Sequence, residues 1–256
     1  MRRSDTCGMS PSGWRRSRRR NPRSAREAPH TGVRHVWMPD SAVNRTRIRL
    51  RFTKKADVRF LSHHDLMRFF ERAIRRAGLP VKMSQGYNPR PRFSVAAALG
   101  VGVAAEQEIL DIELAEPVDP QVVRKNLSAT LISGIEIISA EGVEGKPPRA
   151  AAAWYDVLLP PDLDIPGDAP QRLLAADEVV VERTGKDNEL KRINIRPYIL
   201  EILTSGRTVR MRLEITDSGS ARPDEVVAAL AAGADVDRNR LRIVRTALEV
   251  QPDKQT

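Results

Sequence analysis

The chain has a single cysteine, Cys7, in 256 residues. One thiol excludes an internal disulfide framework, a multi-cysteine zinc site and any cluster held by the usual three or four thiolates. Long apolar runs are missing as well: none approaches the ~18 residues of a membrane span, so the chain reads as soluble and cytoplasmic. Phosphate-binding loops of the G-x-x-x-x-G-K-[ST] and G-x-G-x-x-G types are absent, and Gly86 and Gly100-Val101-Gly102 complete neither. The G-x-S-x-G nucleophile elbow is absent too. Beyond residue 35 the only histidines are His63 and His64. They are adjacent, so on a helix they point about 100° apart and make a poor metal pair. No cofactor and no metal is expected.

What the chain does have is unevenly placed positive charge. Residues 1–47 hold 12 Arg and Lys against 3 Asp and Glu, and residues 48–92 again hold 12 against 3. Residues 93–256 hold 19 against 27, so an acidic remainder follows two basic segments. This asymmetry points to a polyanion partner. Residues 1–44 carry Arg15, Arg16, Arg18, Arg19 and Arg20 among Ser, Pro and Gly, without apolar periodicity. Such a segment reads as disordered. It is either a non-native extension ahead of a start at Met38 or a basic arm for nucleic acid.

From residue 47 a folded pattern begins. Ile48, Leu50 and Phe52 alternate with Arg49, Arg51 and Thr53, the period of a half-buried strand. Ser62-His63-His64-Asp65 fits a capping box, with Ser62 as N-cap. Leu66, Phe69, Phe70, Ala73 and Ala77 then share one helical face, and Gly78 and Pro80 end the helix. Ser84 to Pro91 is a loop rich in turn formers, including Gly86 and Pro89. Strands near 93–99 and around Leu110–Leu114 follow, then a helix from Asp119-Pro120 with Val123, Leu127 and Leu131 inward. Gly134 stops it before a strand starting at Ile135.

The order β-α-β-β-α-β predicts an α+β protein of tandem ferredoxin-like domains, with antiparallel sheets and helices on one face. The first domain spans 47–145, a Pro- and Ala-rich linker 146–153, the second domain 154–250 and a tail 251–256. The second domain is expected to hold strands at 154–159, 178–183, 208–216 and 240–250, helices near 169–176 and 223–232, and a loop-rich extension between 183 and 208.

Outward positions on those strands are repeatedly basic. Arg49 and Arg51, then Arg192, Asn194 and Arg196, then Arg210 and Arg212, then Arg242, alternate with apolar residues. RNA-binding sheets of this shape present groups to nucleotides in this way; equally, Arg is a soluble filler on exposed strands. On the first helix Arg68, Arg72 and Arg76 form a stripe, with Arg75 beside it able to pair with Glu71. Lys54, Lys55, Arg59, Lys82, Arg90 and Arg92 extend the basic region. Tyr87, beside Arg90, is either a stacking ring for an unpaired base or a loop anchor in the core.

His63 and His64 sit in the first helical turn, where the helix dipole favours neutral imidazole. His63 is a candidate general base toward an RNA 2′-hydroxyl, assisted by Tyr87 or Lys82, or simply a polar residue at a helix start.

The string Phe60-Leu61-Ser62-His63-His64-Asp65-Leu66-Met67-Arg68, with Arg75-Arg76-Ala77-Gly78-Leu79-Pro80 and Ser84-Gln85-Gly86-Tyr87-Asn88-Pro89, resembles the uncharacterised "radical SAM-linked" protein family. Lys191-Arg192-Ile193-Asn194-Ile195-Arg196-Pro197-Tyr198-Ile199 resembles that family's second recurring stretch. The resemblance spans roughly 47 to 250, with His64 standing where an apolar residue is expected. It implies a partner, a radical SAM iron–sulfur protein fused or encoded beside such chains. The C-x-x-x-C-x-x-C ligand set is absent here, so the chain would be the accessory subunit.

The expectation is therefore a non-catalytic RNA-binding accessory protein acting in tRNA or rRNA modification. Arg49, Arg51, Arg68, Arg72, Arg90, Arg92, Arg192 and Arg196 would hold phosphates, Tyr87 would stack, and Ser62 and Asp65 would order the helix start. The alternatives are a metal-independent endoribonuclease using His63 and a protein-interaction scaffold for the partner enzyme.

Overall fold

The computed structural model describes residues 46–185, 188–232 and 236–251. The Arg-rich segment 1–44, with Cys7, and the residues after 251 lie outside the described residues. Everything described belongs to one compact unit.

The first strand, β1 (Arg47–Lys54), alternates as its sequence requires: Ile48, Leu50 and Phe52 are buried while Arg47, Arg49 and Arg51 are half-buried on the other face. A 3-10 turn at Ala56–Phe60 leads to α1 (His63–Arg76). Ser62 caps α1: its oxygen accepts from the Asp65 backbone N–H at 3.2 Å, and its hydroxyl donates to Asp65 Oδ2 at 2.7 Å. This satisfies one of the donors a helix start leaves open. Leu66, Phe69, Phe70 and Ala73 are buried at the expected spacing, joined by Ile74, and Ala77 is half-buried at the C-cap. Gly78 follows in the left-handed conformation (φ +62°), which stops the helix.

β2 (Phe93–Val95), β3 (Ala104–Glu113), α2 (Pro120–Ser128) and β4 (Ile137–Val143) complete the first half. Asp119 caps α2 by accepting from the Gln121 N–H at 2.8 Å. Gly134 (φ +91°) lies against the 3-10 turn, where a Cβ would come within 2.6 Å of the Lys55 carbonyl, so no larger residue fits.

The second half runs β5 (Ala150–Leu158), α3 (Ala169–Ala175), β6 (Val180–Thr184), β7 (Leu190–Asn194), β8 (Ile199–Ser205), β9 (Thr208–Thr216), the short β10 (Gly219–Ser220), α4 (Pro223–Leu230) and β11 (Arg242–Val250). Two expectations change here. Residues 150–153, read as the end of a linker, are strand residues, with Ala153 opposite both Leu213 and Leu248. A run of alanines has no apolar–polar alternation, so by pattern alone it looks like a spacer. The stretch between 183 and 208 is not mainly loop, since it carries β7 and β8. The β6–β7 pair forms a separate two-stranded sheet, and β8 is the strand that lies beside β9.

The result is a mixed α+β protein dominated by one large antiparallel sheet of order β10-β9-β5-β11-β3-β1-β4, with β2 also on β3 and β8 on β9. Within the first half, β4-β1-β3-β2 are antiparallel neighbours; within the second, β11-β5-β9-β8 are. The halves join through a short parallel pairing of β11 with β3, Val244 opposite Ala104 and Arg245 opposite Ala105. Each half has a core, the second also taking in Leu99, Val103 and Ala105 from the first. In the first, α1 and α2 pack on Ile48, Leu50, Phe52, Leu110 and Ile112. In the second, α3 and α4 pack on Val157, Val209, Met211, Leu213 and Ile243.

At the junction three charged side chains are buried: Arg245, Glu108 and Lys54, at 2%, 1% and 0% exposure. Arg245 Nε donates to Glu108 Oε1 at 2.7 Å and its Nη2 donates to Oε2. The remaining guanidinium donors reach the Ala98 carbonyl at 3.2 Å and the Ala97 carbonyl at 3.4 Å. Lys54 Nζ donates to the carbonyls of Leu61 (2.8 Å) and Arg59 (3.1 Å), tying the end of β1 to the turn before α1. A buried pair of this kind is far more costly to break than to replace whole. Glu108→Ala, which strands Arg245, is expected to lower unfolding stability by about 3–5 kcal/mol. The double replacement Glu108→Leu/Arg245→Met should lose much less. Urea unfolding midpoints of the three proteins check this; equal losses in the single and double variants would contradict it.

Candidate nucleic-acid interface

The outer face of α1 follows from its spacing. With Leu66, Phe69, Phe70, Ala73 and Ile74 committed to the core, Arg68, Arg72, Arg75 and Arg76 are left exposed. Among the described residues Arg68 and Arg72 have no ion-pair partner. Arg76 donates to the Thr130 carbonyl at 3.4 Å, at the side where α2 ends.

The loop after α1 is tied at its base and held against the helix. Arg92 N–H donates to the Lys82 carbonyl (2.8 Å), Ser84 N–H to the Arg90 carbonyl (2.8 Å), and Arg90 N–H to Ser84 Oγ (3.0 Å). Arg75 bridges helix and loop, donating to Glu71 at 3.3 Å and to the Pro89 carbonyl at 3.2 Å. Arg90 lies 4.0 Å from the other Glu71 oxygen and stays largely exposed. At the tip, Gly86 takes φ +128° and Tyr87 is fully exposed. The core-anchor reading of Tyr87 is thereby excluded. A phenol ring in water leaves a face free on which an unpaired base can stack.

Arg68 and Arg72 on α1, and Tyr87 and Arg90 on the loop that Arg75 ties to α1, are all exposed, with Lys82 exposed at the loop base. The other expected phosphate holders are placed differently. Arg49 makes a two-pronged bond to buried Asp111 (2.9 and 3.1 Å). Arg92 pairs with Glu113 at 3.4 Å, a carboxylate that Arg47 also meets at 2.8 Å. Arg51 is half-buried between β3 and β4. Arg192 is exposed on the separate hairpin, opposite Glu182. Arg196 is structural: it donates to the carbonyls of Leu174 and Ile199, joining the end of α3 to the start of β8. Arg210 pairs with Asp156 at 2.7 Å through both prongs, and Arg212 pairs with Glu249, which also accepts from the Trp154 indole. Arg212 holds the Glu249 carboxyl below its usual range. Of the strand arginines that alternate in sequence, Arg49 and Arg210 are matched by acids on the neighbouring strand and Arg212 by one on the strand beyond it.

His63 is half-buried at the first position of α1, and its Nδ1 is buried without a hydrogen-bond partner among the described residues. Burial, then His64 and Lys54, lower its pKa. The neutral imidazole expected from the helix start is favoured chiefly by desolvation. His64 is exposed, its ring 6.1 Å from that of His63. No group of three or more His, Cys, Asp or Glu that could hold a metal occurs among the described residues.

Lys54, counted from the sequence among surface cations, is fully buried. Its parity with Ile48, Leu50 and Phe52 was the available signal, and it is easily overridden by the expectation that lysine is exposed. Burial pushes its ammonium down from 10.5 to about 8; Glu108 acts against this and Arg245 with it. Glu108 and Arg245 were not marked as important by any sequence pattern.

A family model of uncharacterised proteins conserved in bacteria (DUF2344) matches residues 47–223. The chain belongs to that family. Comparison with curated proteins found no match. Among solved structures, a chain of a Cbf5-Nop10-Gar1 complex matches at 12% identity and TM-score 0.39, covering 80% of this chain and 49% of that one. This chain therefore spans about half that structure's length. An unknown protein from Galdieria sulphuraria matches at 13% identity and TM-score 0.24, over 81% of this chain and 99% of the other. Likenesses this distant carry no functional argument. No described helix of this DUF2344 protein is long and apolar enough to cross a membrane.

Because the folded Lys54 pKa lies below the unfolded value, the folded protein binds fewer protons than the unfolded chain between about pH 8 and 10.5. Its burial penalty is fully present below pH 8 and is relieved as pH rises. Relative to Lys54→Met, wild-type stability is expected to climb across that window. Parallel pH profiles of the two proteins in urea melts would contradict it.

Proposed function

We propose that the protein binds RNA through the outer face of α1 and the loop 82–92. In this reading Arg68, Arg72 and Arg90 hold phosphates and Tyr87 stacks on an unpaired base. The observation that carries it is the fully exposed Tyr87 ring on a loop bonded to the arginine-bearing helix. An isolated exposed arginine stripe is common. An exposed aromatic on a loop tied to the same helix is the combination that single-stranded nucleic acid uses, since every base has a face to stack and every linkage a charge.

The sheet faces have a smaller part than alternation suggests, because Arg49, Arg210 and Arg212 are each paired with an acid. The fold reading that accompanies the proposal is a tandem of ferredoxin-like units. The orders β4-β1-β3-β2 and β11-β5-β9-β8 support it, each being 4-1-3-2 when strands are counted within a unit and the β6–β7 hairpin and the two-residue β10 are set aside. The accessory role beside a radical SAM protein rests on the sequence resemblance. RNA modification is the process in which a chain without its own cluster ligands would serve by presenting RNA to that partner.

Salt-dependent binding of the full-length chain to an unstructured RNA tests this. Each phosphate contact on a single strand contributes about −0.7 to the log–log slope, so Arg68→Ala/Arg72→Ala should flatten it by roughly 1.4. Tyr87→Ala should lose about 1–3 kcal/mol on single-stranded RNA and little on a duplex. Wild-type affinity and slope in both variants would move the function away from this face, toward a scaffold that binds only the partner protein.

A further inference from the structure

A second basic site lies where the two halves meet. A cavity of about 270 Å³ opens between the 3-10 turn at Ala56–Phe60, the loop 99–103 and the start of β11. Arg59 and Phe60 line it from the first half, and Arg238, Asn239 and Arg242 from the second. No carboxylate is among its lining residues. The Arg59 guanidinium lies 4.5 Å over the Phe60 ring, and Phe60 is 55% exposed, an unusual degree for phenylalanine.

The walls are held in place. The Arg59 carbonyl accepts from Lys54 Nζ and from the Gly102 N–H at 2.9 Å, so the turn and the loop are bonded at one atom. Arg238 reaches across to the Val101 carbonyl at 3.3 Å and lies 3.7 Å from Asp224. Arg242 is exposed and has no ion-pair partner among the described residues. A site with converging guanidiniums, no acid in its lining and an exposed stacked aromatic selects an anion that carries a flat ring.

We propose that this cavity binds a nucleoside monophosphate group. The base stacks on the Arg59–Phe60 pair, and the phosphate takes Arg242 and Arg238. The group is supplied either as a free nucleotide or as the 5′-phosphorylated end of an RNA. The site does not involve Arg68, Arg72 or Tyr87, and it stands whether or not RNA lies on α1.

The test is calorimetric titration of the full-length chain with AMP, GMP, CMP and UMP, and with inorganic phosphate as the ring-free control. At least one nucleotide should bind saturably and more tightly than phosphate. Arg242→Glu, which removes a charge-assisted bond at an exposed position, should weaken it about tenfold or more. Phe60→Ala should weaken nucleotide binding without changing phosphate binding, and Arg68→Ala/Arg72→Ala should leave both unchanged. Displacement of the bound nucleotide by a 5′-phosphorylated oligonucleotide, but not by its 5′-hydroxyl form, assigns the site to an RNA end. Failure of both to displace it assigns the site to a free nucleotide. The proposal is overturned if no nucleotide binds more tightly than phosphate, or if Arg242→Glu and Phe60→Ala, folded by circular dichroism, bind as wild type does.

Discussion

Arg245 and Glu108 form a fully desolvated ion pair where the last strand of the second half meets the third strand of the first. The β3–β11 pairing covers only two residue pairs, too few to fix the register of two half-sheets by backbone bonds alone. The guanidinium adds to this, using its planar fork on the carboxylate and its other donors on the carbonyls of Ala97 and Ala98, just past β2, beside apolar packing of Leu99, Val103 and Ala105 across the seam. Lys54 adds a second buried cation, whose ammonium bonds carry the junction's order into the turn before α1. A planar guanidinium–carboxylate pair has a narrower set of acceptable geometries than apolar contact does.

The two candidate surfaces depend on that seam in different ways. The α1–loop region belongs to the first half and needs the seam only indirectly, through the turn that starts α1. The cavity does not exist without it, because its cations come from both halves. Arg59 links them physically: its carbonyl receives the buried Lys54 and the Gly102 N–H, while its guanidinium lies on Phe60 at the cavity wall.

The division of the arginines also has one physical origin. On a strand, a side chain has a cross-strand neighbour fixed by register, and in this protein that neighbour or the next is often acidic: Asp111 for Arg49, Asp156 for Arg210 and Glu249 for Arg212. On α1 the neighbours of Arg68 and Arg72 are set by the helix itself, and Glu71 is drawn off by Arg75 and Arg90. The basic excess that composition reports is therefore cancelled over much of the sheet and expressed on the helix and its loop.

Local physics was legible directly. The capping Ser62, the core face of α1, the stop at Gly78 and the Asp119 cap are all decided by residues within one or two turns of each other. The arginine stripe of α1 has the same origin, so sequence by itself determined the helix, its polarity and its exposed charge. It did not determine which strand arginines are neutralised, because the acids lie 37 to 62 residues away in sequence. Nor did it reveal the burial of Lys54, Glu108 and Arg245, a matter of partners up to 148 residues apart. The position of β8 beside β9, the exposure of Tyr87 and the cavity at the seam were likewise decided only by tertiary structure. Each depends on which surfaces the packed halves cover, and a chain's local pattern does not encode what will be packed against it.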